Sequence, residues 1–260
     1  MATEKFIIDA DTGSDDAVAI LIALQHPSIE ILGITIASGN VPMEQGVLNT
    51  FSTMELCEQN IKVYKGEEKP LERDYLEIYS LEDFIKHVHS RSPDSASGQC
   101  VHGVDGMGDI GIVPTNKTAE ELPAVDFLIS SFNEKPGEIT LVTLGPLTNV
   151  AKAIKEDSSI AKKIKHCYVM GGTSDGSGNV SAAAEYNIWV DPEAAKIVFN
   201  SGMNITMVGW DNSYKYAMLR ENEINDVIKI NTKYAHFAVD IQKVLRELTF
   251  ETYGFDGFDL

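Results

Sequence analysis

Short apolar, β-branched runs alternate along the chain with segments in which apolar residues recur at helical spacing. Strands are predicted at Lys5–Ile8, Ile29–Ile36, Ile61–Tyr64, Ile139–Leu144, His166–Met170 and Ile205–Val208. Helices are predicted at Asp16–His26, Met43–Cys57, Ala119–Asn133, Leu147–Lys155 and Pro192–Asn200. Several strands are continuously apolar, which is typical of strands covered on both faces. This alternation predicts the α/β class, with an open, mostly parallel, Rossmann-like sheet and helices on both faces.

The length of 260 residues accommodates a single domain of this kind, and a hydrophobic content of 43% is enough to build its core. From Asn212 onward the chain is predicted to be mostly helical, with an amphipathic candidate at Asn231–Leu248. Trp189 lies in an apolar, strand-like run and is predicted to belong to the core.

The charge balance restricts the partners of the chain. With 39 acidic against 21 basic residues, the net charge of −18 repels nucleic acids and anionic membrane surfaces, so a small neutral or cationic ligand is expected. No apolar window is long enough to span a membrane, and the N-terminal residues do not resemble a secretory signal. Only three cysteines, Cys57, Cys100 and Cys167, are present and they are scattered, which favours a reducing, cytoplasmic location.

Four aspartates, Asp9, Asp11, Asp15 and Asp16, follow the first predicted strand and lead into the first predicted helix. Helix capping and the helix dipole account for one or two acidic residues at such a position, but not for four. Because crowded carboxylates repel one another, a cation or several hydroxyl donors must neutralise them. We therefore predict that Asp11 and Asp16 converge on one hard cation, while Asp15 points to a neighbouring ligand.

Two other kinds of site use similar acidic runs. An EF-hand loop that began at Asp9 would need glycine at its sixth position and glutamate at its twelfth, where this chain has Ser14 and Ile20. A magnesium-dependent phosphatase of the haloacid dehalogenase type begins with a strand and an Asp-x-Asp pair followed by Gly-Thr. Here the order is Thr12-Gly13, so this phosphatase is a weaker match and stays as an alternative function.

The run Asp9 to Ile20 closely resembles the N-terminal signature of the inosine-uridine-preferring nucleoside hydrolase family. Further motifs of that family follow in the same order: Ser38-Gly39-Asn40, Val101-His102-Gly103 with Asp105-Gly106, Leu144 to Asn149, Met170-Gly171-Gly172, and Glu185 to Ala195. Agreement of several ordered motifs over nearly the whole chain makes the resemblance specific.

The resemblance implies calcium-dependent (Ca2+) hydrolysis of the N-glycosidic bond of ribonucleosides, giving ribose and a free base. It implies that Asp11, Asp16 and the backbone carbonyl of Leu144 bind calcium, and that Asp11 is also the base that activates the attacking water. The ribose and ring region would be held by Asp15, Asn40, Asn179, Glu185 and Asn187, with Met170 close by. The resemblance also suggests a homodimer or homotetramer, whereas contact of His102 with the base is a separate hypothesis.

Members of the family carry a further calcium-binding aspartate near the start of a late helix. The residues Gly254 to Leu260 resemble the approach to that motif, and Asp259 is the candidate substitute ligand. The domain at residues 1–260 is therefore expected to lack the C-terminal segment of the family and to bind calcium weakly. A non-catalytic relative that binds nucleosides or sugars is the corresponding alternative function.

Overall fold

Six strands form one sheet in which every neighbouring pair is parallel. The computed structural model describes residues 3–73, 101–111 and 116–259, apart from the side chains of residues 252, 253 and 259. The strands are β1 (Glu4–Ala10), β2 (Ile29–Ile36), β3 (Val63–Lys65), β4 (Ile139–Thr143), β5 (His166–Met170) and β6 (Ile205–Val208). Their order in the sheet is β3-β2-β1-β4-β5-β6, which confirms the predicted open, parallel, single-domain α/β fold.

Helices cover both faces of this sheet. They are α1 (Ser14–Gln25), α2 (Met43–Leu56), α3 (Ala124–Glu134), α4 (Thr148–Glu156), α5 (Tyr186–Val190) and α6 (Pro192–Phe199). Neighbouring residues of β1 point to opposite faces, as the pleat requires. Ile7 belongs to the core cluster with residues of α3, α4 and α6, whereas Ile8 belongs to the cluster with residues of α1 and α2.

The C-terminal part of the chain packs against α1. It consists of α7 (Trp210–Tyr216), β7 (Met218–Arg220), α8 (Glu221–Lys229), α9 (Lys233–Asp240), α10 (Lys243–Tyr253) and β8 (Gly257–Asp259), with β7 and β8 antiparallel. Ile241 joins it to α1 in a small cluster with Ala17, Val18 and Met107. The amphipathic segment Asn231–Leu248 is two helices rather than one, because the chain turns at Ile241 and Gln242 and buries both side chains completely.

Two local predictions are wrong. The helix predicted at Ala119–Asn133 begins only after Pro123, because the backbone N–H of Glu120 donates to Val63 and extends the pairing along β3. Trp189 lies in helix α5 rather than in a strand, and it is partly exposed rather than in the core. Within the described ranges, no helix combines the length and apolarity that a bilayer crossing requires.

Candidate active site

The acidic run lies where the order of the strands changes direction. The strands β2 and β3 extend from β1 to one side, whereas β4, β5 and β6 extend to the other. In open parallel sheets, ligands bind outside the carboxyl ends of the strands at this switch point. The aspartates follow β1 and Leu144-Gly145 follow β4, and the backbone N–H of Leu144 donates to the carbonyl of Asp9 at 2.7 Å.

Asp9 supports the site from within the sheet. Its side chain is fully buried, and its Oδ1 accepts hydrogen bonds from Thr35 Oγ1 and, at 2.8 Å, from Asn149 Nδ2. Burial raises the pKa of Asp9 to about 6, although both hydrogen bonds oppose that rise. Asn149 also accepts the backbone N–H of Glu67 at 2.8 Å, so one amide joins the ends of β1 and β3.

Asn40 connects the two aspartates that are predicted to bind the cation. Its backbone N–H donates to Asp11 Oδ2 at 2.6 Å, and its Nδ2 donates to Asp16 Oδ2 at 3.3 Å. Asp16 also accepts the N–H of Gly13 at 2.8 Å, which closes the first turn of α1. Both carboxylates are buried, and burial raises the pKa of Asp11 to about 7 and that of Asp16 well above its ordinary value. The charges of Asp15 and Asp9 raise the pKa of Asp11 further, and those of Asp11 and Asp15 raise the pKa of Asp16.

The oxygen atoms around Asp11 fit a hard cation. Asp11 Oδ1 is buried and has no hydrogen-bond partner among the described residues. The carbonyl of Leu144 accepts a hydrogen bond from Asn187 Nδ2 at 2.8 Å, which leaves its second lone pair available. Carboxylate and carbonyl oxygens are the donors that calcium prefers. Within the described ranges, no group of three His, Cys, Asp or Glu side chains could hold a metal ion. The predicted calcium ligands are of another kind here, because they combine two carboxylates with a backbone oxygen.

A second group of predicted residues lies at the ends of β4 and β5. Glu185 caps helix α5: its Oε1 accepts the N–H of Asn187 at 2.9 Å, and its Oε2 accepts the N–H of Gly172 at 2.7 Å. Burial raises the pKa of Glu185, and the charge of Asp15 adds to the rise. Asn187 Nδ2 also contacts the carbonyl of Met170 at 3.3 Å. The structure therefore brings Leu144, Met170, Glu185 and Asn187 together.

His102 reaches the acidic run from the long loop that follows β3. Its Nε2 lies 3.6 Å from Asp15 Oδ1, and its Nδ1 lies 2.8 Å from Ser14 Oγ. A Cβ atom on Gly13 would lie 3.2 Å from His102 Cδ2 and 2.9 Å from Asn40 Nδ2, so both side chains flank this glycine. His102, Asp15 and Asn40 thus surround the turn between β1 and α1.

Two predicted residues are not placed beside the aspartates by the described contacts. Asn179 is exposed, and its Oδ1 accepts the N–H of Tyr186 at 2.9 Å, at the start of α5. Its role in ribose binding stays a prediction. The backbone of Asp259 lies in β8, which pairs with β7 rather than with the central sheet, and its side chain lies outside the described residues. Residues 74–100 also lie outside the described residues.

One contact beside the site was not predicted. Ser14 Oγ donates to Oε1 of Gln242 at 2.8 Å, and both residues are fully buried. The sequence identifies Ser14 only as part of a helix start. It carries no signal for Gln242, which lies 228 positions away along the chain.

The fold and the site together define an α/β enzyme with a cluster of acidic side chains at the switch point of its sheet. The family model described as inosine-uridine preferring nucleoside hydrolase matches residues 6–260, and the chain belongs to this family of enzymes that cleave ribonucleosides.

Similar proteins span almost the whole chain. Uridine nucleosidase 1 of Arabidopsis thaliana is 37% identical over 255 residues, which cover 98% of this chain and 70% of the relative. The pyrimidine-specific ribonucleoside hydrolase RihB of Escherichia coli is 32% identical over 257 residues, which cover 99% of this chain and 75% of the relative. The structure of a purine-preferring ribonucleoside hydrolase from Gardnerella vaginalis superposes on this chain with a TM-score of 0.85 and is 35% identical to it. The match covers 98% of this chain and 76% of that protein. The alternative phosphatase function finds no support among these proteins.

Proposed function

We propose that this nucleoside hydrolase requires a calcium ion, which it binds through Asp11, Asp16 and the backbone carbonyl of Leu144, with Asp259 as a further predicted ligand. The observation that carries the proposal is the pair of buried carboxylates at the switch point, of which Asp11 keeps one oxygen without a partner among the described residues. When bound, calcium would supply positive charge that offsets the buried carboxylates, orients the ribose hydroxyls and acidifies a water molecule.

Asp11 is the proposed general base. A general base must be deprotonated, and a bound calcium ion would oppose the rise to about 7 that burial gives the pKa of Asp11 in the metal-free protein. Its Oδ2 already accepts the N–H of Asn40, so Oδ1 is the oxygen that remains for the cation and for a water molecule bound beside it. The packing of Gly39 and Gly145 against the carboxylate holds this oxygen in a defined direction.

The remaining predicted residues hold the sugar and the base. Hydroxyl groups of the ribose are proposed to contact Asp15, Asn40, Asn179, Glu185 and Asn187, with Met170 against the ring and His102 near the base. Glycoside hydrolysis passes through an oxocarbenium-like sugar. Carboxylates that are close to the ring stabilise its positive charge more than they stabilise the neutral substrate, and this difference accelerates the reaction. The cluster of acidic side chains is suited to that charge.

A panel of purine and pyrimidine nucleosides, assayed for free base and ribose with and without a calcium chelator, tests the function. We expect release of both products from at least one nucleoside, loss of release in chelator, and recovery after calcium is added. Absence of free base across the whole panel in excess calcium would contradict the proposal, and nucleoside binding under those conditions would then favour the non-catalytic alternative.

Calcium affinity is expected to fall as the pH decreases from about 8 to about 6. The pKa of Asp11 is about 7 without the metal and that of Asp16 is raised, so protons compete with calcium for both carboxylates. Each carboxylate that must lose a proton weakens binding by roughly tenfold per pH unit below its pKa. Isothermal titration at several pH values measures this slope. A calcium affinity that does not change between these pH values would contradict the assignment of Asp11 as a ligand.

We also propose that the protein acts as a homodimer or homotetramer on small nucleosides, without nucleic-acid or membrane partners, in the cytoplasm. The family resemblance supports the assembly, and the net charge of −18 supports the exclusion of polyanionic partners. Cys57 and Cys167 are buried free thiols, which supports a reducing compartment. Size-exclusion chromatography with light scattering measures the assembly directly.

A further inference from the structure

A buried polar chain links the C-terminal helices to the acidic run. Ser14 Oγ lies between two partners, Nδ1 of His102 at 2.8 Å and Oε1 of Gln242 at 2.8 Å. Ser14 and Gln242 are fully buried, and the His102 side chain is only 12% exposed. The chain joins three separate segments: the start of α1, the loop after β3, and the turn between α9 and α10.

The direction of each hydrogen bond follows from the orientation of the Gln242 amide together with the number of protons available. A serine hydroxyl has one proton, and an amide oxygen can only accept, so the proton of Ser14 points to Gln242 Oε1. Ser14 Oγ is then the acceptor towards His102, whose Nδ1 must carry a proton to form the observed contact. In the neutral imidazole this leaves Nε2 as an acceptor.

In this tautomer, Nε2 of His102 and Oδ1 of Asp15 form a pair of acceptors beside the acidic run. They lie 3.6 Å apart, and Asp15 Oδ1 has no hydrogen-bond partner among the described residues. Two acceptors that face each other at this distance are stabilised when a ligand places a donor between or beside them. Hydroxyl and ring N–H groups of a nucleoside are donors of this kind.

We propose that Gln242 is a positioning residue that acts through Ser14 to hold the proton of His102 on Nδ1, so that Nε2 accepts a hydrogen bond from a hydroxyl or N–H group of the bound nucleoside beside Asp15. The nucleoside part of this inference rests on the proposed function. The opposite orientation of the Gln242 amide would reverse every donor in the chain and place the His102 proton on Nε2. The two orientations therefore predict opposite tautomers.

Nitrogen-15 NMR of the histidine rings in the full chain distinguishes these tautomers without any turnover. The His102 signals are assigned by their loss in His102→Asn. We expect a protonated-type shift for Nδ1 and an unprotonated-type shift for Nε2. In Gln242→Met, Ser14 loses its acceptor and turns its proton to His102 Nδ1, so the expected pattern inverts. If the wild-type protein instead carries the proton on Nε2, or on both nitrogens, the proposal is overturned.

Two further variants make the experiment decisive. Gln45→Met removes an amide of the same size whose bond goes to Asn49, and it should leave the His102 signals unchanged. Ser14→Ala breaks the chain at its centre with a smaller change of volume, and it should abolish the fixed Nδ1 proton even if Gln242→Met does not fold. Unchanged His102 signals in a folded Gln242→Met or Ser14→Ala protein would contradict the role of Gln242.

The ligand part is tested by adding inosine or uridine to the Asp11→Asn protein, in which turnover is expected to be slow. We expect the Nε2 signal of His102 to move towards the hydrogen-bonded range.

In the enzyme that keeps Asp11, Gln242→Met is expected to raise KM about tenfold with a smaller change in kcat, since one hydrogen bond to a ligand contributes about this much. If nucleosides are cleaved but Nε2 does not respond, this inference fails alone. If the tautomer is as expected but no nucleoside is cleaved, only the proposed function fails.

Discussion

Replacing Asp11 by asparagine is expected to lower kcat for nucleoside hydrolysis by about 10³-fold or more, since a positioned general base alone contributes about 10² to 10⁴. Asparagine keeps an oxygen that can accept the N–H of Asn40, which Asp11 Oδ2 accepts at 2.6 Å. It removes the negative charge that both the base and the proposed cation require. Steady-state assays with the preferred nucleoside measure the loss, and turnover close to the wild-type rate would refute the assignment of the base.

The same substitution is expected to preserve or raise the stability of the metal-free protein. The folded-state pKa of Asp11 is about 7, above its ordinary value of 3.8, so the folded protein binds this proton more tightly than the unfolded chain does. The stabilisation from that proton is complete below the ordinary pKa and is lost as the pH rises through about 7. At pH 8 the wild type holds a buried charge that asparagine does not carry. Thermal unfolding in chelator at pH 8 should therefore give Asp11→Asn a midpoint equal to or above that of the wild type.

Asp157→Asn is the matched control for this experiment. Hydrogen bonds from Ser159 and Asn133 lower the pKa of Asp157 to about 2, so its negative charge stabilises the folded state. The sign of the stability effect is therefore opposite to that of Asp11: the control should lose stability at pH 8 and keep full activity. If Asp11→Asn unfolds at a lower temperature than Asp157→Asn, its loss of activity cannot be assigned to the base.

The sequence predicted the sheet well because its strands are defined by local composition. Runs such as Ile29–Ile36 are apolar and β-branched, and their ends agree with β2. Local composition does not determine elements whose ends depend on distant contacts. The start of α3 depends on the pairing of Glu120 with Val63, and α5 depends on the capping carboxylate of Glu185.

The sequence also indicated part of the candidate site. Electrostatic repulsion in the acidic run predicted a cation at Asp11 and Asp16, and this stays a prediction. The family resemblance added Leu144, Glu185 and Asn187, which the structure places together. The role of Gln242 could not be predicted, since an isolated buried amide has no sequence pattern. Its significance comes only from the tertiary contact with Ser14.

A single methyl group at Gly39 is expected to disable the site although no charged residue is replaced. A Cβ atom there would lie 2.0 Å from Asp11 Oδ2 and 2.7 Å from its Cγ, whereas ordinary contacts begin at 3.4 Å. The backbone cannot easily move away instead, because the next N–H, that of Asn40, donates to the same oxygen at 2.6 Å. The carboxylate must therefore shift by more than about 1 Å, and misplacement of this size costs about 10²-fold in kcat/KM.

Gly39→Ala should accordingly lower both kcat/KM and calcium affinity, whereas Gly137→Ala should lower neither. Gly137 is exposed, has a φ of 75°, and a Cβ atom there would meet nothing within 4 Å, so this control carries backbone strain without a clash. Combining Gly39→Ala with Asp11→Asn separates displacement of the carboxylate from general damage. If the glycine acts through Asp11, the second substitution adds little to the first; if the two losses multiply, Gly39 acts on the site by a route independent of the base.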